Sequence, residues 1–142
     1  TIAVLEMHRM FVSSVILLLI PVSANAPHVK HYERLARSYF SAWNAHSSVR
    51  LADLLAEDAR LSDWNVEKRG RDAIVEANVG IWKAVPRITI ELVSLHVANA
   101  TRTVTCEILV QLHNEANEVL KVAAVITYDE QDKIVSVRAY KG

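Results

Sequence analysis

Few side chains in this sequence have the type and spacing that chemistry needs. Six histidines, His8, His28, His31, His46, His96 and His113, are scattered along the chain. Only His28 and His31 stand at an i, i+3 spacing, and Glu6 and Glu33 are wrongly placed to add a third ligand, so neither a metal nor any other cofactor is expected. Cys106 is the only cysteine; no intramolecular disulfide can form, and thiolate-rich zinc sites are excluded. It shares an apolar phase with Val104, Ile108, Val110 and Leu112, which makes it a small buried hydrophobe. His96 and His113 lie in strand-like segments, and alternation alone does not fix which face they take. Carboxylates and phenols are the remaining candidates, Asp63 beside Trp64 and Tyr39 on an apolar helix face among them, and spacing alone singles out none of them. A carboxylate at the rim of an apolar cavity is poorly hydrated, which raises its pKa toward the range where it serves as a base. Each residue also has a plain structural reading, Asp63 as a turn or strand-end residue and Tyr39 as a core tyrosine. Trp43, Trp64 and Trp82 read as core or as the wall of a ring-sized pocket, and Glu57 and Asp58 as cap or surface residues.

The elements that must carry these groups follow from periodicity. Tyr32, Leu35, Ala36, Tyr39, Phe40 and Trp43 form one apolar face and predict a helix over residues 28–45. A Ser-capped helix over 49–55 follows, with 56–59 leading out of it and a short strand and polar turn over 60–71. Residues 71–83 predict a third helix with Ile74, Ala77 and Ile81 on one side, interrupted by Asn78 and stopped by Pro86. From Arg87 the period becomes two. Residues 88–97, 103–113, 120–128 and 134–140 are β-branched runs separated by turn signals, an antiparallel meander. Helices first and strands afterwards imply an α+β domain with three helices covering one face of a curved antiparallel sheet. Asn99, Ala100 and Thr101 form a glycosylation sequon in one of the turns.

The chain has 142 residues with 51% hydrophobic and 23% charged, and only three glycines and three prolines, which excludes disordered and low-complexity classes. Sixteen basic residues balance sixteen acidic ones, so no overall field gathers polyanions and nucleic acid is not an expected partner. The apolar run FVSSVILLLIPV over residues 11–22 is short of the roughly 20 residues of a transmembrane helix and fits a secretory core of about 7 to 15. Arg9 precedes it and Ser23, Ala24, Asn25 and Ala26 follow, with cleavage favoured after Ala24. Residues 1–26 are therefore expected to be a signal-peptide-like or anchor segment and residues 27–142 the domain. The protein is expected to be exported (periplasmic, secreted or lumenal), with a membrane partner only if residues 1–26 are retained. Their loss removes Glu6 and Arg9 and leaves the domain neutral.

Two stretches carry a resemblance. The first is Tyr39-Phe-Ser-Ala-Trp-Asn-Ala45; the second is Ala56-Glu-Asp-Ala-Arg-Leu-Ser-Asp63, followed by Arg69-Gly-Arg-Asp-Ala-Ile74. With the element order, they resemble the nuclear transport factor 2-like superfamily, and within it the ketosteroid isomerase and SnoaL-like group, over roughly residues 29–140. The resemblance implies a cone-shaped curved sheet and a homodimer. It implies Asp63 as the base that takes a proton α to a carbonyl and Tyr39 as the donor to the developing enolate oxygen. Trp64, Trp43, Val122, Ala124 and Val137 would line the substrate pocket. One position departs: where these isomerases place a protonated Asp as second donor, this chain has Ala124, and a methyl cannot donate. Residues 120–128 are apolar on both phases, so the outer sheet face is expected to meet a second copy. The expected activity is isomerisation, or an allied dehydration or cyclisation, of a small apolar carbonyl or ring compound. The alternative is a non-catalytic ligand-binding or assembly domain, tethered to a membrane complex if the first residues persist.

Overall fold

The computed structural model describes residues 26–142, with side chains from residue 28 onward. The export-type segment and its cleavage point lie outside the described residues. Helix α1 (Ala26–Asn44) leads to α2 (Ser48–Leu54), β1 (Leu55–Ser62), β2 (Glu67–Arg69), α3 (Arg71–Ala84), β3 (Thr89–Ala98), a 3-10 turn (Asn99–Thr101), β4 (Thr103–Gln111), β5 (Val119–Tyr128) and β6 (Ile134–Lys141). Among the described residues no helix is long and apolar enough to cross a membrane.

The six strands form one sheet in the order β2-β1-β6-β5-β4-β3. Strands β3 to β6 are the expected antiparallel meander. The sheet as a whole is mixed rather than antiparallel, because β1 pairs parallel to β6. Nothing local announces this: the first and last strands meet across the length of the domain, and no short turn dictates their relative direction. Strand β1 also starts at Leu55, inside the stretch read as the end of a helix and its exit. The consecutive exposed Glu57 and Asp58, at a register irregularity between Leu55 and Arg60, break the alternation that would have marked a strand.

Local chemistry fixes the helices. The Ser47 side chain accepts from the Arg50 backbone N–H and caps α2. Gly70 enters α3 at φ +95°, a conformation that suits glycine, and Asp72 and Lys83 lie at the ends favoured by the helix dipole. Helix α1 is tied to the edge of the sheet by Asn44, whose amide donates to the Ile90 carbonyl at 2.8 Å and whose side-chain oxygen accepts from the Ile90 N–H at 2.7 Å. The core between helices and sheet includes Ala36, Phe40, Leu51, Ile74, Trp82, Val104 and Ile126, all buried.

Candidate active site

A cavity of about 290 Å³ opens between the inner sheet face and helices α1 and α3. Helix α1 gives it Tyr39, Phe40 and Trp43, α3 gives Asn78 and Ile81, and the β1–β2 turn gives Asp63, Trp64, Asn65 and Val66. The sheet contributes Ile108, Val122, Ala124 and Val137 among others. Thus Asp63, Tyr39, Trp64, Trp43, Val122, Ala124 and Val137, all singled out from sequence, line one wall system. Sequence reasoning missed Asn78 and Asn65. The signal for Asn78 was present, a polar residue interrupting an apolar helix face.

Asp63 sits in a side-chain-closed turn. Its Oδ1 accepts the backbone N–H groups of Asn65 and Val66, both at 2.7 Å, and its own N–H donates to the Val66 carbonyl at 2.9 Å. The turn reading of this residue holds: Oδ1 closes the turn and orients the carboxylate, while Oδ2 takes no part in these bonds. Trp64, at the turn's tip, is 41% exposed.

Tyr39 is buried, and no hydrogen bond to its hydroxyl is made among the described residues. Burial, reinforced by nearby Cys106, pushes its pKa well above the ordinary tyrosine value, so it remains a neutral O–H donor. Cys106 is fully buried; burial pushes its thiol up to about 11, opposed in part by Arg37. It is a protonated neighbour of the site, not a nucleophile. Tyr128 is buried too, its hydroxyl without a partner among the described residues. Burial first, then Cys106, Tyr39 and Asp132, raise its pKa.

Ala124 faces inward between Cys106 on β4 and Ala139 on β6. The methyl there leaves this part of the wall without a donor. Among the described residues Asn78 is the one buried residue of the polar or charged class. Its Oδ1 accepts from Trp43 Nε1 and its Nδ2 donates to the Ile74 carbonyl, each at 2.8 Å, which leaves one amide hydrogen of a cavity-lining residue uncommitted.

The described histidines stand elsewhere. His96 is exposed on β3, and His113 Nε2 meets Thr89 Oγ1 at 2.8 Å, beyond the end of β4. Neither lines the cavity. His31 Nε2 is 2.9 Å from Asp132 Oδ2, and His46 stacks on Trp82 with ring centroids 5.2 Å apart. No group of three metal-ligating side chains forms among the described residues.

Helices packed on a curved mixed sheet around an apolar cavity define the nuclear transport factor 2-like, or cystatin-like, class of α+β domain. Within it, a family model described as a SnoaL-like domain matches residues 36–137, and the chain belongs to that family. Solved structures agree on the fold. A protein of unknown function with a cystatin-like fold from Methylobium petroleophilum PM1 superposes with TM-score 0.70 at 16% identity, over 78% of this chain and 75% of its own. A protein from Kribbella flavida DSM 17836, provisionally named a ketosteroid isomerase, gives 0.68 at 19% identity, over 80% and 79%. SalBIII, an epoxide hydrolase/cyclase-like enzyme of pyran ring formation in salinomycin, gives 0.68 at 18% identity, over 80% and 92%. No curated protein sequence matches.

Proposed function

We propose that this SnoaL-like domain is a small-molecule enzyme of isomerase type. It takes a proton from carbon next to the carbonyl of a neutral apolar ligand held in the cavity. Asp63 Oδ2 is the base and the Tyr39 hydroxyl donates to the enolate oxygen; the proton returns to a carbon further along, so the step is neutral in atoms and charge. The observation that carries this reading is the placement of Asp63 and Tyr39 in the lining of one apolar cavity. Oδ1 is held by two backbone donors, which pre-sets the carboxylate without a second side chain. With Ala124 in place of a second donor, turnover is expected below that of an enzyme with two, by about 10²–10³.

The test is Δ5-ketosteroid turnover together with binding of an equilenin-type phenol, wild type against Asp63→Asn. Equal turnover in the variant removes Asp63 from the mechanism. Phenol binding with no turnover in either favours a second reading, a ligand-binding domain that keeps the cavity; the observation in its favour is Ala124.

The outer sheet face exposes Val93, Val119 and Tyr140 on β3, β5 and β6, each at least half exposed, and a second copy of the chain is the partner that would cover this apolar patch. The apolar segment at residues 11–22 supports an exported protein, which N-terminal sequencing of the expressed product tests.

A further inference from the structure

A second concavity lies at the β2-β1-β6 edge. It measures about 400 Å³ and its lining includes Arg60, Arg69 and Arg138, with Glu67 the only acid in it; Lys68 also borders it but is the cross-strand partner of Leu61 and belongs to the other face. In a chain with sixteen charges of each sign, such a concentration is local. Register explains how it arises. Arg60 is the cross-strand partner of both Arg69 and Ser136, and Ser62 of both Glu67 and Arg138. Residues two apart on a strand share a face, so these six side chains form a grid of two rows. They face away from the buried Leu61 and Val137, on the side of the sheet opposite the apolar cavity.

The grid places Arg60 directly beside Arg69. Like charges opposed across a strand pair destabilise the sheet, and neither arginine makes a salt bridge among the described residues. An anion seated between them would turn that repulsion into binding. Guanidinium groups suit an oxyanion because their planar forks donate two parallel N–H bonds. Ser62 and Ser136 add hydroxyl donors within the same grid, and Arg138 lies diagonal to Arg60. We propose that Arg60, Arg69 and Arg138, with Ser62 and Ser136, bind a phosphate-type oxyanion, the phosphoryl group of a soluble small molecule or of a lipid headgroup.

The experiment uses the full chain at low ionic strength. Inorganic phosphate is titrated by calorimetry and by its effect on melting temperature, against Arg60→Ser, Arg69→Ser and, as a control away from the hollow, Lys83→Gln. Saturable binding is expected, weakened about tenfold or more by either arginine variant, unchanged in the control, and reduced by added sodium chloride. All three arginines are exposed, so the variants should fold, and Arg69→Glu supplies a check: it replaces repulsion with a cross-strand ion pair and should abolish binding without loss of stability. A second arm sediments the protein with phosphatidylcholine vesicles with and without phosphatidic acid. Capture that needs phosphatidic acid and is lost in Arg60→Ser assigns the anion to a lipid headgroup; phosphate binding without such capture assigns it to a soluble ligand. Absence of both, or binding indifferent to the arginine variants, overturns the proposal. So does a dimer that dissociates in Arg60→Ser while phosphate has no effect, since a partner's carboxylates would then fill the hollow.

Discussion

The Trp43 indole N–H donates to the Asn78 side-chain oxygen at 2.8 Å, both residues buried, and so joins α1 to α3 beside the cavity. Asn78 is in turn anchored to its own helix through the Ile74 carbonyl. A buried polar pair of this kind is worth little net, yet breaking it strands the survivor. Asn78→Leu, close to isosteric, should cost about 1–3 kcal/mol in urea unfolding, because the indole N–H is left buried without an acceptor. Adding Trp43→Phe removes that orphan donor, so the double variant should cost less than the sum of the two single ones. Additive costs would show that the bond contributes nothing beyond packing.

The turn-closing role of Asp63 and its proposed role as base can be separated by substitution. Asn keeps an oxygen to accept the Asn65 and Val66 N–H groups but cannot take a proton, whereas Ala removes both functions. Asp63→Asn is expected to keep stability within about 0.5 kcal/mol and to lower turnover about 10²–10⁴-fold. Asp63→Ala should lose turnover to the same extent and also about 1–2 kcal/mol of stability. Parallel chemical denaturation and rate measurements on the two variants check this.

How far these groups were legible in the sequence depended on the range of the interaction. Helix α1 and the β3–β6 meander announced themselves through periods of 3.6 and 2, because each buries one face against its neighbours. Asp63 and Tyr39 were legible only through motif resemblance; their meeting in one cavity is a tertiary fact. The parallel β1–β6 pairing was silent, since no turn connects those strands. Asn78 looked like a flaw in an apolar face until its partner, Trp43, was in place 35 residues away. The arginine grid was equally hidden: Arg60, Arg69 and Arg138 carry no signal until register sets Arg60 beside Arg69 and Arg138 diagonal to Arg60.

Alkaline pH should weaken the fold. The Cys106 thiol is raised from 9.0 to about 11, and Tyr39 and Tyr128 are raised beyond that, in each case chiefly by burial. Above pH 9 the unfolded chain releases protons that the folded chain retains, so unfolding gains and stability falls. The contribution is complete below pH 9, declines through 11 as Cys106 is reached, and keeps declining above 10 because of the tyrosines. Tyr39→Phe and Tyr128→Phe should each flatten the pH 10–11 part of a plot of unfolding free energy against pH, and a slope unchanged in both would rule out the buried phenols as its source.

Ala124 offers a gain-of-function test. Its neighbours across the strands are Cys106 and Ala139, and the described residues lining the cavity include no cation; desolvation, opposed in part by Arg37 as it is at Cys106, would hold a carboxyl placed there protonated and able to donate a hydrogen bond. Ala124→Asp is expected to cost about 1–3 kcal/mol of stability for burying a polar group. It should also raise turnover toward the 10²–10³-fold that a second oxyanion donor supplies, roughly. A kcat gain lost again in Ala124→Leu would mark the donor as the cause; a gain shared by both would mark pocket shape instead.

The outer sheet face carries the last prediction. Val93 is 57% and Tyr140 55% exposed, and together with Leu109 and Ala123 they border a shallow hollow on that face. Apolar groups left in water there cost free energy that a second copy, meeting the same patch across a two-fold axis, recovers for both chains at once. Light scattering coupled to gel filtration should therefore give twice the chain mass. Tyr140→Glu puts a charge into this apolar patch, where burying it is costly, so it should shift the mass toward the monomer, while the cavity-side variant Asp63→Asn leaves it unchanged. A wild-type chain that runs as a monomer at every concentration would exclude this face as a self-association surface.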